Sequence, residues 1–250
     1  MITFLINMIL GWIGANLVNY LADVLPNERK ITGPKCDRCG EPLSWKYYIL
    51  LNSCRHCGTK PSLRHKAVLI LGMVFSGLLA QFPVESLGNY GAILWLVYFS
   101  VVIVIDLEHR LIMHAVSITG AGLGLIFGSL NHGLLDTVLG GGAGFGLMLI
   151  FYFLGELFVR ILSKYRGEEI EEIALGFGDV NLAGVIGLLL GWPGIIAGII
   201  LAILIGGVVS GGFLVLQVLR KKYQAYQALP YGPFLVLSAV VLFYISRLIR

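Results

Sequence analysis

Two aspartates stand at the edges of otherwise apolar, membrane-length stretches: Asp106, and Asp179 in the run Gly176-Phe177-Gly178-Asp179. An ionisable group at such a depth is expensive to keep, so it generally marks function. Two carboxylates brought close together cannot both ionise easily; one holds a proton while the other stays charged. The charged partner can take a proton from water and the neutral one can polarise a peptide carbonyl, which is hydrolysis with no covalent intermediate. Gly176 and Gly178 suit that use, because they let the backbone bend where a helix starts and let an extended substrate approach the carboxylate. Each aspartate also has a plainer reading: Asp179 as a helix N-cap, Asp106 as a boundary residue paired with His109 or Arg110.

The four cysteines form a second constellation. Cys36-Asp37-Arg38-Cys39 and Cys54-Arg55-His56-Cys57 are two C-x-x-C knuckles separated by 14 residues, each followed by a glycine, Gly40 and Gly58. Two such knuckles can present four thiolates tetrahedrally to zinc, with glycine permitting the turn that aims backbone amides at sulfur. The spacing is one residue short of the usual zinc template for paired knuckles. A redox pair or idle thiols are the alternatives. With all four positions filled by cysteine no open coordination site remains, so the zinc is expected to fold the loop and not to catalyse. His56 is expected to be a bystander.

The elements that must carry these residues are apolar. The chain of 250 residues is 57% hydrophobic and only 13% charged, with a mean hydropathy of +0.86, far from the roughly one-quarter charged share of soluble domains. Apolar windows of spanning length lie near 2–24, 67–82, 91–106, 114–130, 137–159, 177–191, 194–219 and 230–247. The expected fold is an all-α polytopic membrane protein of about eight transmembrane helices, with a small zinc-ribbon-like cysteine domain between helices 1 and 2. The expected division is a first span at 1–24, a cytoplasmic four-cysteine domain at 25–66 and a seven-helix catalytic domain at 67–250.

The first window lacks a basic region ahead of it, and Asn16, Asn19 and Asp23 interrupt the place of a cleavage site, so it reads as a retained span. Placing 25–66 in the cytoplasm and alternating thereafter puts 16 of the 18 Lys/Arg on the inner side, an orientation that follows the positive-inside rule. In this frame both aspartates lie at the cytoplasmic boundary.

Other features read more simply. The glycines at 140, 141, 142, 144 and 146, and those at 206, 207, 211 and 212, fit close helix packing. Glu168, Glu169, Glu171 and Glu172 read as a solvated loop before the glycine–aspartate run, with attraction of a basic substrate as the sharper alternative. Glu156 fits an ion pair with Arg160 one turn on. Asp136 falls at the external boundary.

With these residues in place, the chain resembles the type IV prepilin leader peptidases, which belong to the membrane aspartic proteases with a G-x-G-D motif. The resemblance rests on Asn19 through Pro26, the knuckles at 36–39 and 54–57, Asp106-Leu107-Glu108-His109-Arg110-Leu111-Ile112, Gly176-Phe177-Gly178-Asp179, and Leu229-Pro230-Tyr231-Gly232-Pro233-Phe234. It implies a bifunctional enzyme of the bacterial inner membrane, with cysteine domain and active site facing the cytoplasm. Such an enzyme cuts the basic leader from type IV prepilins or pseudopilins and N-methylates the new amino terminus with S-adenosylmethionine. By motif, Asp106 and Asp179 match the catalytic pair, and Cys36, Cys39, Cys54 and Cys57 match a cysteine domain associated with zinc and with the methylating form. The chain departs from the family in having Met113-His114 in place of Pro-Asp, Asn181 in place of Lys, and Val24 where Arg is common.

Two competing classes remain. A proton- or cation-coupled carrier also uses intramembrane acids and glycine-broken helices, although carriers hold their acids at the midplane. A zinc-binding scaffold would account for the cysteines and leave both aspartates unused. The expected partners are the bilayer and a prepilin-type substrate, with no nucleic acid.

Overall fold

The computed structural model describes residues 2–28, 31–36, 38–166, 175–220 and 230–249. The acidic run at 168–172, Asp37, Lys221, Lys222 and Leu229 lie outside the described residues. Among those described, the chain forms nine helices: α1 Ile2–Glu28, α2 Trp45–Ile49, α3 Leu63–Leu79, α4 Gly88–His109, α5 His114–His132, α6 Leu134–Arg166, α7 Phe177–Leu190, α8 Gly194–Leu219 and α9 Gly232–Ile249. The all-helical expectation holds, and each apolar window falls within or close to one long helix. Four helices are long and apolar enough to cross a membrane by length and composition: Ile2–Asn27, Gly88–His109, Leu134–Tyr165 and Gly194–Leu219. Ile9, Ile13 and Leu17 on α1, Phe153 and Leu157 on α6, and Leu204 and Val208 on α8 are exposed. Contiguous apolar surface of that kind belongs against lipid or a partner, not water.

The chain divides into two compact units, Met1–His109 and Arg110–Arg250. In the first, α1 packs on α3 and α4. The α1–α3 crossing is close because its contact residues are small: a Cβ on Gly11 would stand 2.5 Å from the carbonyl of Gly72. At the far end of α1, Asn7 and Asn89 exchange reciprocal amide hydrogen bonds of 2.8 and 2.9 Å, which satisfies both amides away from water. The cysteine module and its short helix α2 lie between α1 and α3 in sequence, and Tyr48 of α2 buries its ring against Tyr20 and Val24 of α1.

In the second unit α7 is central, contacting α5, α6, α8 and α9. It is apolar around its circumference, with Val180, Leu182, Ala183, Val185, Ile186 and Leu189 all buried, the pattern of a helix surrounded by other helices. Seams of small residues grip it. A Cβ on Gly140 of α6 would stand 2.4 Å from the Gly187 carbonyl, and one on Gly128 of α5 would stand 2.1 Å from the Leu188 carbonyl. Backbone contact of this kind needs glycine on the facing helix. Gly206 of α8 likewise packs on Phe234, whereas Gly142, Gly146, Gly207, Gly211 and Gly212 meet nothing within 4 Å.

Candidate active site and metal centre

The two cysteine knuckles have the same backbone design. In the first, the amide of Cys36 donates to the Glu41 carbonyl at 2.8 Å and that of Gly40 to the Cys36 carbonyl at 2.8 Å. In the second, Cys54 donates to Thr59 at 2.8 Å and Gly58 to Cys54 at 2.9 Å. Gly40 and Gly58 take φ of 73° and 69°, the left-handed region that favours glycine. An antiparallel bridge between Lys35 and Pro42 closes the first knuckle.

The four sulfur atoms lie within 4.8 Å of one another. Cys36 Sγ is 3.6 Å from Cys57 Sγ, and Cys39 Sγ is 3.8 Å from Cys54 Sγ. These separations are too long for disulfides, which need about 2.05 Å. A tetrahedral thiolate centre with metal–sulfur bonds of about 2.3 Å has an edge of about 3.8 Å, so spacing and donor chemistry both fit a metal. The group contains only cysteines, so His56 stands outside it. The hydroxyl and backbone amide of Thr59 hold the Cys57 thiol down at about 6. Against the lowering effect of the Glu41 backbone, burial and the three neighbouring thiols push Cys39 up to about 12.

A polar network joins this module to the helices of its own unit. Asp23, near the end of α1, accepts the Tyr48 phenol at 2.9 Å, pairs with His65 Nε2 at 3.0 Å and pairs with Arg64. Ser62 Oγ is 2.9 Å from His65 Nδ1, and Asn19 donates to the His65 carbonyl at 3.1 Å. The other arm of Arg64 donates to Glu108 of α4 at 2.9 Å. Sequence reasoning missed this cluster because it treated Asp23 as an interruption of a cleavage motif and left Arg64 and His65 within the 25–66 cysteine domain. The available signal was an acid at the end of one apolar window with bases at the start of the next.

The two candidate catalytic aspartates occupy different helix positions, one in each unit. Asp106 is 5% exposed, three residues before the end of α4, and the chain leaves that helix through Arg110 at φ 51°. Asp179 is 8% exposed and is the third residue of α7, not its N-cap. Gly176 occupies the cap; its amide donates to Asp179 Oδ2 at 3.2 Å, and its carbonyl accepts from the Asp179 amide at 3.0 Å. The carboxylate thus folds back over the helix start and satisfies an otherwise orphan donor, half of a capping box. Gly178 lets the segment before α5 lie directly on the α7 start, since a Cβ there would stand 2.8 Å from Ile112 Cβ. Phe177 is fixed by edge contacts to Phe145 and Tyr152 of α6, with ring centroids 6.3 and 5.9 Å away. Tyr231, just ahead of α9, stands close enough to interact with the Asp179 charge. Glu156 pairs with Arg160, as its spacing implies, and so belongs to the α6 surface.

Long apolar helices, a four-cysteine cluster that could hold a metal and a buried aspartate near a helix end in each unit describe a polytopic membrane protein. Residues 92–211 match the type IV leader peptidase family. The chain is 28% identical to the prepilin leader peptidase/N-methyltransferase of Myxococcus xanthus, over 81% of this chain and 60% of that one. Against the protein of the same name from Aeromonas salmonicida the identity is 27%, over 81% and 68%, and against that from Vibrio cholerae 24%, over 85% and 81%. The chain thus spans about 60% of the length of the Myxococcus relative. No solved structure matches it.

Proposed function

We propose that this protein is a membrane-embedded aspartic endopeptidase that removes the basic leader of type IV prepilins or pseudopilins and N-methylates the new amino terminus. The observation that carries the reading is that the family match runs through both Asp106 and Asp179. Each is buried in its own unit, and each stands beside a helix end. The same match disfavours the carrier reading.

In the proposed reaction Asp106 and Asp179 act as a pair sharing one proton. The charged member takes a proton from water, which attacks the scissile carbonyl polarised by the protonated member; the proton then passes to the leaving amine as the carbon–nitrogen bond breaks. Gly176 keeps the approach to the α7 start free of a side chain, while Gly178 seats the segment at Ile112 against that start. S-adenosylmethionine would supply the methyl group for the exposed amine.

The metal of the cysteine module is zinc in this reading, structural because four thiolates complete its shell. The helices supply eight spans, with 1–24 the first, 25–66 the cytoplasmic cysteine domain and 67–250 the peptidase. The charge distribution orients the cysteines and both acids toward the cytoplasm of a bacterial cell.

Purified protein in detergent, incubated with a prepilin, tests this directly. Cleavage should vanish in Asp106→Asn and Asp179→Asn while folding and metal content persist. Aspartate-dependent ion uptake in liposomes without proteolysis would replace the reading with a carrier. Labelled S-adenosylmethionine and mass spectrometry of the product test the second activity.

A further inference from the structure

We infer that Arg64 is a positioning residue for the Asp106 carboxylate, clamping the last turn of α4 to α1 and to the cysteine module. The inference rests on the proposed peptidase reading. The last carbonyls of a helix have no partner within it, so the terminal turn frays unless something outside holds it. Asp106 sits in that turn, three residues from the end of α4. Glu108, two residues further on, is the handle: its Oε2 receives Arg64 at 2.9 Å. Two residues correspond to about 200° of helix rotation, so Glu108 and Asp106 project from opposite sides. Arg64 therefore restrains the turn from the face that Asp106 does not use.

The clamp is anchored in depth. A lone half-exposed ion pair would hold little, but here the Arg64 side chain is 16% exposed and its second arm grips Asp23 of α1. The other oxygen of Asp23 holds the Tyr48 phenol at 2.9 Å. Arginine suits the task because its planar fork can serve two carboxylates at once, where a lysine offers a single point charge.

The test uses the intact protein in detergent with a synthetic peptide carrying a basic leader and an apolar segment. Glu108→Gln preserves shape at a partly exposed site, so it decides the matter even if Arg64→Ala folds poorly. Small misplacements of a reacting group cost up to about a hundredfold, so kcat should fall about tenfold or more in both variants, with KM within about twofold. The double variant should be no slower than Arg64→Ala, and Arg64→Lys should recover part of the rate. Unchanged kcat, losses that multiply in the double variant, or a rise in KM at constant kcat would overturn the clamp; the last would make the pair a contact for the leader. If the unaltered protein cleaves no leader peptide, the peptidase reading falls. If it cleaves and Glu108→Gln matches it, only the clamp falls.

Discussion

Tyr48 of α2 donates its phenol to Asp23 of α1 at 2.9 Å, with the tyrosine only 1% exposed. This bond ties the cysteine module to the first long helix. A hydrogen bond to a charged group contributes about 1.5–3 kcal/mol when its partner would otherwise be left unmet. Tyr48→Phe should therefore lower the unfolding temperature in detergent and leave the metal content unchanged. Burial, and then the Asp23 carboxylate, push the phenol well above the usual tyrosine range. A group whose folded pKa is raised stabilises fully below its unfolded value, about 10 for tyrosine, and loses that contribution as pH climbs beyond it. The gap between Tyr48→Phe and the unaltered protein should hold at pH 8 and shrink above pH ~10; a gap that widens with alkalinity would contradict this.

Removing the metal should loosen the cysteine module selectively. A segment of some forty residues has too little core to hold itself, and the knuckles converge on one centre with sulfur separations of 3.6 and 3.8 Å. Chelation should expose the segment between Cys36 and Cys57 to proteolysis, while fragments containing α5 to α9 remain protected. Metal analysis should give one ion per chain, reduced in Cys36→Ser and Cys54→Ser. Full metal occupancy in all four single Cys→Ser variants would argue against the shared centre.

Cys57 should react ahead of Cys39 once metal has been removed, because its partner Thr59, 3.0 Å away, is only two residues along the chain and stays beside it when the module loosens. Thr59 holds Cys57 down at about 6, so at pH 7 it is largely thiolate, the reactive form. Cys39, pushed up to about 12, stays protonated. Brief alkylation at pH 7 followed by peptide mapping should find Cys57 labelled ahead of Cys39. The Cys57 rate should drop as pH falls through 6, and Thr59→Val should remove its lead. Equal labelling of Cys57 and Cys39 would show that the Thr59 hydrogen bond does not set reactivity.

How much of this was legible in the sequence follows from what each feature depends on. Apolar run length located the helices, to the residue in the case of α8 at 194–219, because a span declares itself locally. The paired knuckles with Gly40 and Gly58 were legible for the same reason: every constraint lies within a few residues. Asp179 was read as a possible cap and instead sits two residues into α7, since glycine rather than a polar side chain occupies the cap. The start of α3 was harder. Leu63 already begins the helix, which brings Arg64 and His65 into its first turn, and that placement answers to Asp23, more than forty residues earlier. A long-range pairing leaves no periodic trace in the chain. The same limit applies to Glu108, whose partner is Arg64; nothing in its immediate neighbourhood distinguishes it from an ordinary boundary acid.

The grip on α7 yields the sharpest contrast between two neighbouring glycines. Gly140 faces the Gly187 carbonyl, where a Cβ would arrive at 2.4 Å, and the relation is reciprocal, since a Cβ on Gly187 would stand 2.2 Å from the Gly140 carbonyl. Both obstacles are backbone, so neither can swing aside, and Gly140→Ala must part the helices. Overpacking of this kind typically costs about 1–3 kcal/mol. Gly142, two residues along the same helix, has nothing within 4 Å. Replacing a mid-helix glycine by alanine there should stabilise by about 0.5–1 kcal/mol through reduced backbone entropy in the unfolded chain. Thermal unfolding in a single detergent should therefore move in opposite directions for Gly140→Ala and Gly142→Ala. Because α7 carries Asp179, cleavage should fall in the first variant and persist in the second. Equal effects from the two substitutions would mean that the α6–α7 crossing is not set by direct backbone contact at this seam.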